Sequence, residues 1–432
     1  MLARMVELYK KNDDFTELWC LPLDDNGAGT AATGSLTITG TATKAGTLNV
    51  YVAGQRVQVA VASGDTANTV GVALAAAIAA LTSLPVTGSN SSGVVTLTSR
   101  HKGEMGNDID VRVNYLGELG GEITPAGLST SVVAMNSGAS NPSLTNAIAA
   151  MGDKEFDAII LPYTDTTSLD ALKVEMNEST GRWSYARQIY GHVWSAKRGS
   201  VGGLGTFGNS RNDPHATVVG YNDSPTPSYE WASAYGAQAA KALAIDPARP
   251  LQTLPLVGVS PPPVSSRFTL TERQTLLFDG IATWVFNGGE VRIERAITTY
   301  QLNTFSEPDP SYLDATTLYT LAAVIRRLRS RITQKFPRHK LANDGTRFGD
   351  GQAIVTPNII RAELVSVYSE MENQGLVENI EAFKAALIVE RNANDPNRVD
   401  VLYPPDLVNQ LRVLAILAQF RLQFNQQTLE VA

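Results

Sequence analysis

FDAIILPYTDTTSLDALKVEM, residues 156–176, decides the fold class. It opens with a short, mostly apolar run closed by Pro162, the length and composition of a buried strand. Leu169, Leu172 and Met176 then recur at the spacing of one helical face. Residues 132–135, 189–194 and 216–221 read as further strands. Leu144, Ile148 and Met151 mark a helical stripe before the quoted segment, and residues 231–243 mark another after it. From Ser131 onward this alternation predicts an α/β layer architecture.

Toward the N-terminus, residues 2–11 predict a short amphipathic helix, and residues 15–23, FTELWCLPL, predict a buried strand containing Cys20. After a run of small residues at 27–33 the apolar period becomes two: Leu36 and Ile38, then Leu48, Val50 and Val52, then Val57, Val59 and Val61. Gly64-Asp65-Thr66 can cap a helix, because Asp65 or Thr66 can accept its first free N–H groups. Val70, Leu74, Ile78 and Leu81 form the stripe of that helix. Strands return at 94–98 and at Ile109, Val111, Val113 and Tyr115. Helix and strand before Gly27 belong with the later alternation, so residues 30–116 read as a β-rich module inserted into one α/β domain, which comprises 1–29 and 117–300.

Toward the C-terminus, PLVGVSPPP at 255–263 is a stiff connector. Thr269 and Glu272 form a capping box for a helix through Phe278. Asn287-Gly288-Gly289 turns a hairpin whose return strand carries Val291, Ile293 and Ile297. Residues 301–432 read as an α+β domain, with helices at 318–336 and 357–373, strands at 385–391 and 398–403, and a stretch at 411–424 that period alone leaves as strand or helix.

At 432 residues the chain exceeds one ordinary core, so two or three domains of roughly 100–200 residues are expected. Apolar residues at 43% and charged residues at 18% fit a globular protein. A net charge of −7 gives the chain as a whole no footprint for nucleic acid and leaves open only a local basic patch. The single cysteine, Cys20, excludes an internal disulfide framework and a multi-cysteine metal site. Neither residues 70–81 nor 411–422 form an apolar stretch able to span a bilayer, and residues 1–11 lack signal-peptide regions. The expected product is made in the cytoplasm and does not insert into a membrane.

Several long segments carry a resemblance: MLARMVELYKKNDDFTELWCLPL (1–23), GRWSYARQIYGHVWSAKRG (181–199), DSPTPSYEWA (223–232), ARPLQTLPLVGV (248–259), SRFTLTERQTLLFDGI (266–281), KFPRHKLANDGTRFG (335–349) and IVERNANDPNRVDVLYPPDLVNQLRVLA (388–415). In these segments, and in their order, the chain resembles the tail sheath proteins of Mu-like contractile phages. The resemblance implies a subtilisin-like α/β sandwich domain, an inserted β-rich domain and an α+β C-terminal domain near the tail tube. It implies hexameric rings stacked around the tube and contraction that drives the tube through the host envelope. The implied partners are other copies of the chain, the tail tube protein, and baseplate and tail terminator proteins; no cofactor is implied, and the place is the virion. Neighbours in such sheaths share strands, which points to Leu387, Val389, Val399, Val401, Leu414 and Ile416 as pairing positions. Family members usually carry an extended arm before the helix that begins here at Met1, so this chain is expected to be mainly monomeric or weakly associated.

An enzyme is the competing class. The histidines are His101, His192, His215 and His339, no G-x-S-x-G elbow occurs, and no histidines have metal-ligand spacing. His192 and His215 read as structural. Gly203-Leu204-Gly205-Thr206-Phe207-Gly208 is a formal G-x-G-x-x-G, but Asn212-Asp213-Pro214 leaves no room for the full helix that a pyrophosphate needs. One local feature stands out. Leu318, Leu321, Ile325, Leu328, Ile332 and Phe336 make a helical stripe, while Arg326, Arg327, Arg329, Arg331, Lys335, Arg338 and Lys340 follow without an acid among them. Either this is a solvated face or it faces a partner, and Arg326, Arg327, Arg329, Arg331 and Lys335 are the tube-facing candidates.

Overall fold

The computed structural model describes residues 1–420. Its strands are β1 (Ala31–Gly40), β2 (Gly46–Val52), β3 (Gln55–Val61), β4 (Val86–Ser91), β5 (Val94–Lys102), β6 (Val111–Val113), β7 (Leu128–Asn136), β8 (Ala158–Ile160), β9 (His192–Arg198), β10 (Ala216–Tyr221), β11 (Thr283–Asn287), β12 (Glu290–Arg295), β13 (Lys340–Leu341), β14 (Ile354–Val355), β15 (Ile388–Arg391) and β16 (Val399–Leu402). The helices are α1 (Leu2–Asn12), α2 (Ala67–Ala80), α3 (Thr145–Met151), α4 (Thr166–Met176), α5 (Val201–Asn209), α6 (Ser228–Ile245), α7 (Leu270–Phe278), α8 (Ala315–Lys335), α9 (Pro357–Asn373) and α10 (Ile380–Ala386).

The β-rich module is two antiparallel sheets, β4-β5-β1-β7 and β3-β2-β6, with α2 packed against both. Alternation decides which side chains enter its core: Val57, Val59 and Val61 of β3 are buried while Arg56, Gln58 and Ala60 are not. Thr66 caps α2 by accepting from the Thr69 N–H at 3.2 Å, and Val70, Leu74 and Ile78 are buried beneath it. Leu81, predicted on the same stripe, lies past the helix end and is exposed. Residues 132–135, expected to open the α/β layer, lie in β7, where Val132 pairs with Leu36 of β1. β7 thus adds residues 128–136 to the sheet that also holds β1, β4 and β5.

The α/β layer is a parallel sheet in the order β10-β9-β8. Every residue of β10 is buried, as befits a strand covered on both faces. Helix α6 covers one face, and α3 and α4 belong to the cluster on the other. Helix α1 lies on α6, held by the Ser233 hydroxyl donating to the Met5 carbonyl at 2.5 Å and by Arg4 reaching Glu230 at 3.0 Å. Residues 15–23 form no strand, which corrects that expectation. The Asp13 carboxylate accepts from the Phe15 and Thr16 N–H groups, turning the chain at the start of the run. Phe15, Trp19 and Cys20 end up exposed. Residues 17–23 instead wall a cavity of about 500 Å³ against α1, α3 and Phe156.

The capping box forms as predicted, Thr269 and Glu272 each accepting from the other's backbone N–H. The hairpin β11–β12 turns at Gly288 and Gly289, whose φ values of +62° and +84° favour glycine. Further on, α8, α9 and α10 enclose a separate core in which Tyr368 and Phe383 stack at 3.8 Å.

Candidate functional site

Enzymatic chemistry finds little to work with. The His192 ring nitrogen Nε2 is 2.8 Å from the Thr217 hydroxyl, with Trp194 edge-on at 4.9 Å. His215 stacks on Trp183 at 4.7 Å. Burial disfavours the imidazolium in both, pulling His215 down to about 3 and His192 well below its ordinary value. Among the described residues no serine hydroxyl hydrogen-bonds a histidine ring, and no group of three His, Cys, Asp or Glu side chains is placed to hold a metal. No described helix is long and apolar enough to cross a membrane.

The glycine-rich hexapeptide lies inside α5, capped by Ser200, and not in a loop ahead of a helix. Its glycines serve packing. A Cβ on Gly208 would meet the Asp279 carbonyl oxygen at 1.9 Å, and one on Gly205 would meet the Asp279 carboxylate at 2.4 Å.

The assembly-facing candidates are therefore the ones to build up. The first half of α8 is buried through Ala315, Leu318, Tyr319, Ala322 and Val324, and Leu328 and Ile332 pack on the second core. This orientation sends the arginines sideways, toward acids on other elements. Arg326 lies 2.6 Å from Glu155 and 2.5 Å from Asp157. Arg327 is 3.6 Å from Glu370, and Arg331 spans Glu363 at 3.2 Å and Glu370 at 2.5 Å. Lys335 pairs with Glu363. The hydrogen bond from Arg331 holds the Glu370 carboxyl below its usual range. Arg326, Arg327, Arg331 and Lys335 thus each have an acidic partner within the chain. Among the described residues, Arg329, Arg338 and Lys340 have no carboxylate partner, Lys340 donating instead to the Gln352 side-chain oxygen. The neutralising acids escaped the sequence reading, although Glu363 and Glu370, seven apart on α9, fall on one helical face.

The strand-pairing candidates divide. Val389 sits opposite Val401, and Val399 opposite Arg391, in the hairpin β15–β16. Two strands make the whole sheet among the described residues, so its outer edges are open. Leu387 is instead the buried residue that ends α10, which corrects its placement in a strand. Leu414 and Ile416 lie outside any strand, each 75% exposed, in a segment where Leu411, Val413, Leu417 and Phe420 are exposed as well. The predicted stretch 411–424 extends beyond the described residues at its end.

Residues 27–131 match the phage tail sheath protein beta-sandwich domain, 137–299 the phage tail sheath protein central domain, and 307–421 the phage tail sheath C-terminal domain. The Mu-like prophage FluMu tail sheath protein of Haemophilus influenzae is 47% identical over 420 residues, covering 97% of this chain and 85% of that protein. The chain belongs to the phage tail sheath family. It is a structural subunit of a contractile tail sheath, built on a mixed α/β fold. Among solved structures, the sheath tail protein of Desulfitobacterium hafniense is 12% identical, with a TM-score of 0.48 over 94% of this chain and 84% of that one. The sheath tail protein of Listeria innocua is also 12% identical, with a TM-score of 0.44 over 72% of this chain and 76% of that one.

Proposed function

We propose that this sheath subunit polymerises as stacked hexameric rings around a tail tube and contracts to drive the tube through the host envelope. The observation that carries this reading is the 47% identity to a tail sheath protein across 97% of the chain. The work comes from repacking between subunits, since contraction proceeds only if the contracted lattice is lower in free energy. The proposed partners are further copies of the chain, the tail tube protein, and baseplate and terminator proteins. Assembly takes place in the host cytoplasm, the place of action is the virion tail, and no catalysis or cofactor is involved. The three parts of the proposed division are the β-rich module, the α/β domain that contains it and the C-terminal α+β domain. The open edges of β15–β16 and the exposed apolar residues 411–420 are the proposed ground for strand sharing between copies. On α8, Arg329 is the cation proposed to face an acidic tube surface.

The test is electron microscopy of the purified chain mixed with the tail tube protein from the same phage. Rings or sheathed tubes are expected. Labelling by a serine-directed probe, with no assembly under any condition, would overturn the reading.

A further inference from the structure

Arg198 ends β9 and Asp223 follows β10, so both stand at the carboxyl ends of parallel strands. That is the edge at which α/β sheets open a crevice for ligands. Here the crevice is filled by the module, through Asp110 and Arg112 at the start of β6. Arg198 Nη2 is 3.2 Å from Asp110 Oδ1 and 3.3 Å from Asp223 Oδ1. Arg112 Nη2 is 2.6 Å from Asp110 Oδ1 and 3.0 Å from Asp223 Oδ1. The four charges alternate in sign around a closed ring, so each touches two opposite neighbours and the set is neutral. Nearby, the Ser228 hydroxyl donates to the half-buried Asp108 carboxylate, and Tyr115 donates to the Pro261 carbonyl at 2.9 Å.

We propose that this ring is a charge latch that makes the β-rich module and the parallel-sheet core move as one body. Two of its contacts, Arg198 with Asp110 and Arg112 with Asp223, cross from core to module. Parts of a chain joined through modest polar interfaces ordinarily move relative to each other. The ring opposes this, because losing any one member strands a net charge in a site where Asp110 is only 7% exposed and Arg112 only 19%. In the closed ring Arg198 and Arg112 both donate to Asp110 and Asp223.

The experiment is a pulsed electron–electron distance measurement on the full chain. Spin labels are placed at Ser89→Cys on β4 and Val174→Cys on α4, both exposed, in a Cys20→Ser background. With the ring intact the distance distribution is expected to be narrow. Arg198→Gln should broaden it by about twofold as module and core begin to move independently. Asp223→Asn, at the most exposed corner of the ring, provides a milder variant should Arg198→Gln fail to fold. A distribution already broad with the ring intact, or unchanged in a folded Asp223→Asn chain, overturns the latch.

Discussion

Arg326 and Asp157, 169 residues apart in the sequence, meet at 2.5 Å. The contact ties the middle of α8 to the residue just before β8, and Glu155 reinforces it at 2.6 Å. The arginine is thereby committed within its own chain. Arg326→Ala is expected to lower the unfolding free energy by about 1 kcal/mol, the upper end for a pair of this exposure. Arg326→Glu should cost more, since it brings a third carboxylate beside two others. Arg329→Glu, which has no such partner, should change stability by less than about 0.5 kcal/mol. Urea titration of the three variants measures this; equal midpoints for Arg326→Glu and Arg329→Glu would show that the ion pairs hold nothing.

The buried histidines set an acid limit. His215 is neutral in the folded chain down to about pH 3, whereas an unfolded histidine takes up a proton near 6.5. Below 6.5 the unfolded chain therefore binds more protons, and stability is lost as pH falls from 6.5 toward 3, by up to about 1.4 kcal/mol per pH unit from this group. Asp213, whose carboxyl burial pushes up, contributes in the opposite direction. Comparison with His215→Phe, which keeps the stack on Trp183, isolates the histidine. The variant should show a shallower acid slope between pH 6 and pH 4, and parallel slopes would refute the assignment.

Gly208 and Gly202 share a helix but not an environment. Gly208→Ala forces a Cβ onto the Asp279 carbonyl and should cost roughly 2–3 kcal/mol. Gly202, with nothing within 4 Å, should gain up to about 1 kcal/mol as Ala through its better helix propensity. Thermal unfolding of the pair decides the matter, because a nucleotide-loop role predicts no stability loss at Gly208.

At the start of α7 the capping box is local and separable. Thr269→Ala removes the acceptor for the Glu272 N–H and should cost about 1 kcal/mol. Thr269→Asp should recover most of it. Chemical denaturation of both variants provides the check, and a neutral Thr269→Ala would mean that α7 is held by the packing of Leu276 and Leu277 and the Arg273–Glu294 pair without the cap.

Elements with strong local signals were legible. Residues 216–221 are uniformly apolar or small and form β10 at those bounds, while Pro357 opens α9 where the pattern placed it. The hairpin and capping box follow from turn and cap chemistry within a few residues. The failures share a different cause. Composition told that 132–135 is a strand but carried no information on its partner, and β1, almost a hundred residues upstream, claimed it. Residues 15–23 look apolar enough to be buried, yet the Asp13 turn leads them to a cavity wall. The cation row looked unneutralised because its acids lie 32 and 39 residues downstream on α9 and far upstream at Glu155 and Asp157. Leu414 and Ile416 have no burial to read in a single chain, since their apolar surface finds no partner among the described residues.

Helix α8 belongs to two cores at once. Ala315 and Tyr319 are embedded beside Trp194, whose ring N–H donates to the Tyr319 hydroxyl at 3.1 Å, while Val324, Leu328 and Ile332 are embedded against α9. No break interrupts the helix between them, so it has no flexible joint and acts as a rigid axle. At 1.5 Å per residue Tyr319 and Lys335 lie roughly 24 Å apart along its axis, and a tilt of about 10° at the Tyr319 end carries the Lys335 end by about 4 Å. The packing around Trp194 and the packing against α9 are thus joined by one uninterrupted helix, so neither core can re-orient its part of α8 alone.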